Sequence, residues 1–138
     1  MPNAIHPARA ECPGARERLA DLRQALLPLH KILIDSERRT YERTFGRIGT
    51  PYHFLHLLTR DPWFAWLAPV TQLLAMMDER LDESEPLTTA AVEDFAQRLK
   101  TLLVPTETGE GFSRHYDEAL QRSPDMLFAH VTLAKLLR

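Results

Sequence analysis

The chain has 138 residues, 44% hydrophobic and 26% charged, the balance of one globular domain with an ordinary core and not of a disordered tail or a multidomain enzyme. Seventeen Lys and Arg stand against nineteen Asp and Glu, and the resulting net charge of -2 gives no general pull toward nucleic acid or an anionic membrane. A lone cysteine, Cys12, excludes an intrachain disulfide, and the longest apolar run, residues 63–70, falls far short of the roughly 20 residues that span a bilayer.

The opening residues Met1-Pro2-Asn3-Ala4-Ile5-His6-Pro7 lack the basic and apolar regions of a signal peptide, so a cytoplasmic chain is expected. Residues 1–13 carry three prolines and little apolar surface to offset the entropy of ordering. They are expected to be a flexible arm, with 14–138 forming a single helical-bundle domain. From Ala15 the leucines Leu19, Leu22, Leu26, Leu29 and Leu33 recur at 3-4-3-4 spacing. This stripe predicts a helix running to about Phe45 and stopping near Gly46 and Gly49, with a kink where Pro28 crowds the carbonyl of Gln24.

Thr50-Pro51 opens a short apolar helix through Tyr52, Phe54, Leu55, Leu57 and Leu58. Asp61-Pro62 opens a longer one, which places Trp63, Trp66, Leu67, Val70, Leu73, Leu74, Met77 and Leu81 on one face and bends at Pro69. On an α-helix Phe64 lies about 100° from that face, so this aromatic turn is expected to touch two neighbours or leave a ring exposed. After a polar break at 82–86, Thr88 or Thr89 caps a helix with Val92, Phe95, Leu99, Leu102 and Leu103 inward. A loop at 105–111 precedes a short helix marked by Phe112, Tyr116 and Leu120. Ser123-Pro124 then starts a last helix with Met126, Leu127, Val131, Leu133, Leu136 and Leu137. No segment alternates apolar and polar residues as strands do. Four long helices and two short ones with short connections predict an all-α, largely antiparallel bundle.

The sequence holds no phosphate-binding loop, dinucleotide turn, Cys-x-x-Cys, His-Glu-x-x-His, Gly-x-Ser-x-Gly or EF-hand loop, and no Glu-x-x-His of the di-iron bundles. Familiar catalytic templates are therefore excluded, and an enzyme is not the first expectation. Among the six histidines, His53 and His56 stand three apart on one helix and are within reach of a shared metal. His30, Ile34, Glu37 and Tyr41 run beside the leucine stripe, and a buried polar line of this kind needs partners. Asp78, His115, Tyr116 and His130 are the candidates. His30, Glu37, Tyr41 and His130 are accordingly expected to line a pocket for a small ligand, metal or haem, if the chain has one.

Arg39, Arg43 and Arg47 recur every four residues with Arg38 beside them, a stripe suited to an acidic partner or a phosphate. Asp35 stands four before Arg39 and Glu42 four after Arg38, so intrahelical pairing is the plainer expectation. Trp63, Phe64 and Trp66 crowd one turn, either as core at a helix crossing or as an aromatic anchor.

Leu29-His30-Lys31 with Glu37-Arg38 and Tyr41-Glu42, followed by Phe54-Leu55-His56-Leu57-Leu58 running into Asp61-Pro62-Trp63-Phe64-Ala65-Trp66-Leu67, resembles a group of small bacterial all-helical proteins. Ala119-Leu120-Gln121-Arg122-Ser123-Pro124-Asp125 and Ala129-His130 extend the likeness over most of residues 26–134. The resemblance implies a bacterial cytosolic origin and carries over no activity. The leading functional expectation is a non-enzymatic protein-interaction or regulatory module that pairs with itself or another protein, through Trp63, Phe64, Trp66, Arg39 and Arg43. A ligand carrier using the histidine-lined pocket is the alternative. Nucleic acid and membrane are not expected partners.

Overall fold

The computed structural model describes residues 11–105 and 111–138. Among these residues the chain is all-helical, with six α-helices, one 3-10 helix and no strand. α1 is Ala15–Phe45, α2 is Pro51–Arg60, a 3-10 turn covers Pro62–Leu67, α3 is Ala68–Asp82, α4 is Thr89–Leu102, α5 is Phe112–Arg122 and α6 is Pro124–Leu136. No helix among them is long and apolar enough to cross a membrane.

The four predicted starts are each closed by the side chain expected to do so. The oxygens of Thr50, Asp61, Thr88 and Ser123 accept from the backbone N–H of His53, Trp63, Ala91 and Met126 at 3.0, 2.8, 3.1 and 3.2 Å. Each satisfies one of the donors that a helix start leaves without an intrahelical acceptor. Most of the expected arm, residues 1–10, and most of the expected loop, 106–110, lie outside the described residues. The arm's end is tied down: the Cys12 N–H donates to the Leu87 carbonyl at 3.0 Å, and the Glu11 carboxylate accepts from the Leu87 N–H at 3.2 Å.

The two internal prolines act differently. α1 continues through Pro28, whose ring is exposed, so the Gln24 carbonyl left without its helical donor lies on the solvent side. Pro69 does not bend a long helix as the sequence suggested, because the helix expected from Pro62 to Leu81 is two elements. An α-helix through this stretch would need a Pro69 N–H to reach the Ala65 carbonyl, and proline has none. The Ala65 carbonyl instead accepts from Ala68 in a tighter bond, the 3-10 turn ends there, and α3 begins with Pro69 in its first turn.

The change of pitch also corrects the expected faces. At three residues per turn, side chains three apart eclipse, so Phe64 aligns with Leu67 and Trp63 with Trp66. Phe64 and Leu67 are buried at 1% and 2% exposure, and the two tryptophans are half-buried.

α1 is the spine of the core. Leu19, Leu22, Leu26, Leu29 and Leu33 are all at most 1% exposed. α1 packs on α6, α3 and α4, which bury Met126, Ala129 and Leu133, Val70 and Met77, and Val92, Phe95, Ala96 and Leu99. Arg18 to Glu93 and Arg23 to Asp78 add ion pairs from α1 to α4 and α3. These pairs are partly solvated and stabilise little beside the leucines. Leu26→Ala is predicted to lower unfolding free energy by about 2–5 kcal/mol in urea titrations, and Pro28→Ala, at an exposed position lacking a backbone bond, to raise it.

Candidate functional site

The structure does not gather the expected polar residues into one pocket. His30 on α1 bonds through Nε2 to Thr71 Oγ1 of α3 at 2.9 Å. The Thr71 hydroxyl donates to the Leu67 carbonyl at 3.3 Å, so its oxygen accepts from an Nε2–H. His30 thus clamps two helices. Glu37 is buried beside Ser36, and no hydrogen bond or ion pair reaches its carboxylate from the described residues. Tyr41 turns away into a ring cluster, with its centroid 4.8 Å from Phe45, 5.9 Å from Trp63 and 5.3 Å from Phe64.

His130 on α6 meets Tyr116 of α5, with the phenol oxygen 2.6 Å from Nδ1. Tyr116 is fully buried, and desolvation pushes its pKa far above the usual phenol range, so it keeps its proton; Nδ1 is the one acceptor that the described residues offer this hydroxyl, which therefore donates to it. That bond selects the neutral imidazole with hydrogen on Nε2. His130 also lines a groove of about 210 Å³ with Lys100, Leu103 and Leu137. This volume is smaller than pockets that hold drug-sized ligands, about 300–1,000 Å³. Of the other expected partners, Asp78 pairs with Arg23, and His115 is exposed and stacks on Trp66 at 4.8 Å.

His53 and His56 are both exposed on α2. Among the described residues no group of three His, Cys, Asp or Glu comes together to hold a metal, and two imidazoles alone fill half of a tetrahedral shell.

The arginine stripe is freer than its neighbours in sequence implied. Asp35 pairs with Lys31 at 3.4 Å and not with Arg39. Glu42 lies 3.8 Å from Arg38 and accepts from the Ile48 N–H at 2.9 Å. Arg39, Arg43 and Arg47 therefore line an open groove with Glu42 but form no ion pair among the described residues. In the aromatic turn, Phe64 presents no surface to a partner. Trp63 packs edge-on against Phe45 at 5.4 Å, and Trp66 lies 5.6 Å from Phe112. The indole N–H groups of both tryptophans are buried and meet no acceptor among the described residues, at an expected cost of about 1–3 kcal/mol each.

Sequence reasoning missed the outer side of α6. Met126, Ala129, Leu133 and Leu137 are buried, whereas Leu127, Phe128 and Val131 are 50%, 77% and 43% exposed. These three project opposite the buried row, so the helix is apolar on both sides. The signal was readable: residues 126–137 hold leucines and other apolar residues at too many angles for one face. Phe128 overhangs a groove of about 350 Å³ between α6 and α1, floored by Ala25, Pro28 and Ile32. No family model, curated protein or solved structure matches the chain.

Desolvation holds the pKa of both His30 and His130 below the usual 6.5. The unfolded chain therefore binds more protons once the pH drops below that value. Stability present at higher pH is predicted to fall between about pH 7 and pH 5, and His130→Gln to flatten that slope in urea titrations. Tyr116→Phe removes the donor to a partly buried Nδ1 and is predicted to cost about 1–3 kcal/mol.

Proposed function

We propose that the chain is a non-enzymatic protein-interaction or regulatory module of the bacterial cytoplasm, and that its docking face is the outer side of α6 with the adjoining groove on α1. The observation that carries this reading is the triplet Leu127, Phe128 and Val131, exposed on a helix whose opposite side is already buried. A helix apolar all round is normally enclosed, and a phenylalanine held in water beside an apolar groove is the composition of a contact centre and not of a solvated rim. Arg39 and Arg43, without carboxylate partners among the described residues, and the half-buried Trp63 and Trp66 remain candidates for secondary contacts.

The proposal also makes the long helices a largely antiparallel bundle. In support, Arg122 just ahead of α6 reaches Ser36 at 3.2 Å, while Thr132 further along lines a groove with the earlier Gln24 and Ala25. A ligand site at His130 is the second reading, favoured by the Tyr116 bond that fixes its ring at a groove wall.

A docking face is separated from a core by what its loss costs. Leu127→Asp with Phe128→Asp is predicted to change unfolding free energy by less than about 1 kcal/mol and to abolish the binding of an environment-sensitive apolar dye that the chain shows at dilutions where the face is uncovered. A loss of several kcal/mol, or dye binding that persists, would remove α6 as the docking face.

A further inference from the structure

We infer that the occupant of the α6 face is a second copy of this chain, laid α6 against α6 in opposite directions across a two-fold axis; the inference rests on the docking-face reading above. A two-fold contact uses one patch twice, so the patch must supply both a knob and its hole, and both members of each charge pair. The α6 face supplies all of them. Phe128 is the knob, and the groove floored by Ala25, Pro28 and Ile32 beside it is the hole.

Pro124, Phe128, Val131 and Lys135 follow 4-3-4 spacing along the outward line of α6, the seam of a paired helix. Reversing a second copy about a point between Ala129 and His130 sets Phe128 opposite Val131 of that copy. The same operation brings Asp125, in the first turn of α6, toward Lys135 of the second copy, in the last turn. Neither Asp125 nor Lys135 has an ion-pair partner in its own chain among the described residues. A parallel pairing would instead face Asp125 with Asp125 and Lys135 with Lys135, and would align the two helix dipoles. Charge complementarity therefore favours the antiparallel arrangement over the parallel one, and one helix supplies both halves of each pair, as a two-fold contact between copies requires.

Sedimentation equilibrium of the full chain tests this. A reversible dimer is expected, with Phe128→Asp raising its Kd by at least about thirtyfold and leaving the helical circular dichroism unchanged. Lys135→Glu is expected to weaken the dimer several-fold, more so at low salt, and Lys135→Glu combined with Asp125→Lys to restore it. A chain that stays monomeric up to about 1 mM, a dimer that survives Phe128→Asp, or a charge reversal without effect or rescue would overturn the pairing. The dye measurement separates the two readings. A monomeric chain that binds dye, and loses it on Phe128→Asp, refutes self-pairing while the docking face stands; a monomer with equal dye binding in both forms refutes both.

Discussion

The packing of α1 with α3, α4 and α6 hangs on the burial of one leucine line. Leu19, Leu22, Leu26, Leu29 and Leu33 lie along about four turns of α1, all at most 1% exposed, and they are the surface against which α3, α4 and α6 find partners. Each such side chain removed from water is worth roughly 1.5–3 kcal/mol, whereas the ion pairs that join the same helices are partly solvated and contribute little. The polar links have a different role. His30 to Thr71 and Tyr116 to His130 satisfy groups that burial would otherwise penalise, and so fix which rotation of each helix packs on the next.

The two prolines show how the same residue gives opposite outcomes according to what its missing N–H would have bonded. At Pro28 the abandoned carbonyl lies on the solvent side of α1, and the leucines on either side hold the helix as one element. At Pro69 the preceding chain has no such line to continue. It tightens to 3-10 pitch, and the tryptophans and Phe64 are dealt to different sides from those an α-helix would give. That turn places rings against Tyr41 and Phe45 of α1, Phe54 of α2, and Phe112 and His115 of α5, so it joins the three parts of the chain that the leucine line does not reach.

Local signals were legible where they are carried by local chemistry. Thr50, Asp61, Thr88 and Ser123 are caps because an oxygen one bond from the backbone can reach an N–H two or three residues on, and this needs no knowledge of the rest of the fold. The α1 stripe was legible for the same reason. What the sequence did not disclose depends on neighbours. His30, Glu37, Tyr41 and His130 share a periodicity or a residue type, but α3, the ring cluster and α5 claim them separately. Asp35 has cations at both i-4 and i+4, and spacing alone does not say that it takes Lys31. The outer row of α6 was visible as letters, yet which of two apolar sides faces α1 is decided by packing.

A continuous, leucine-lined spine carries an outer helix whose exposed side is apolar. The proposed docking face depends on the rigidity of that spine, because a face presented by a fraying support would not hold Phe128 beside its groove. Native-state hydrogen exchange measures it directly. The amides of residues 19–33 are predicted to exchange only through global unfolding, across Pro28 without a break, while those of the shorter and more exposed α2 exchange through local opening at lower free energy. Exchange that divides α1 at Pro28, with either half opening as readily as α2, would contradict the account.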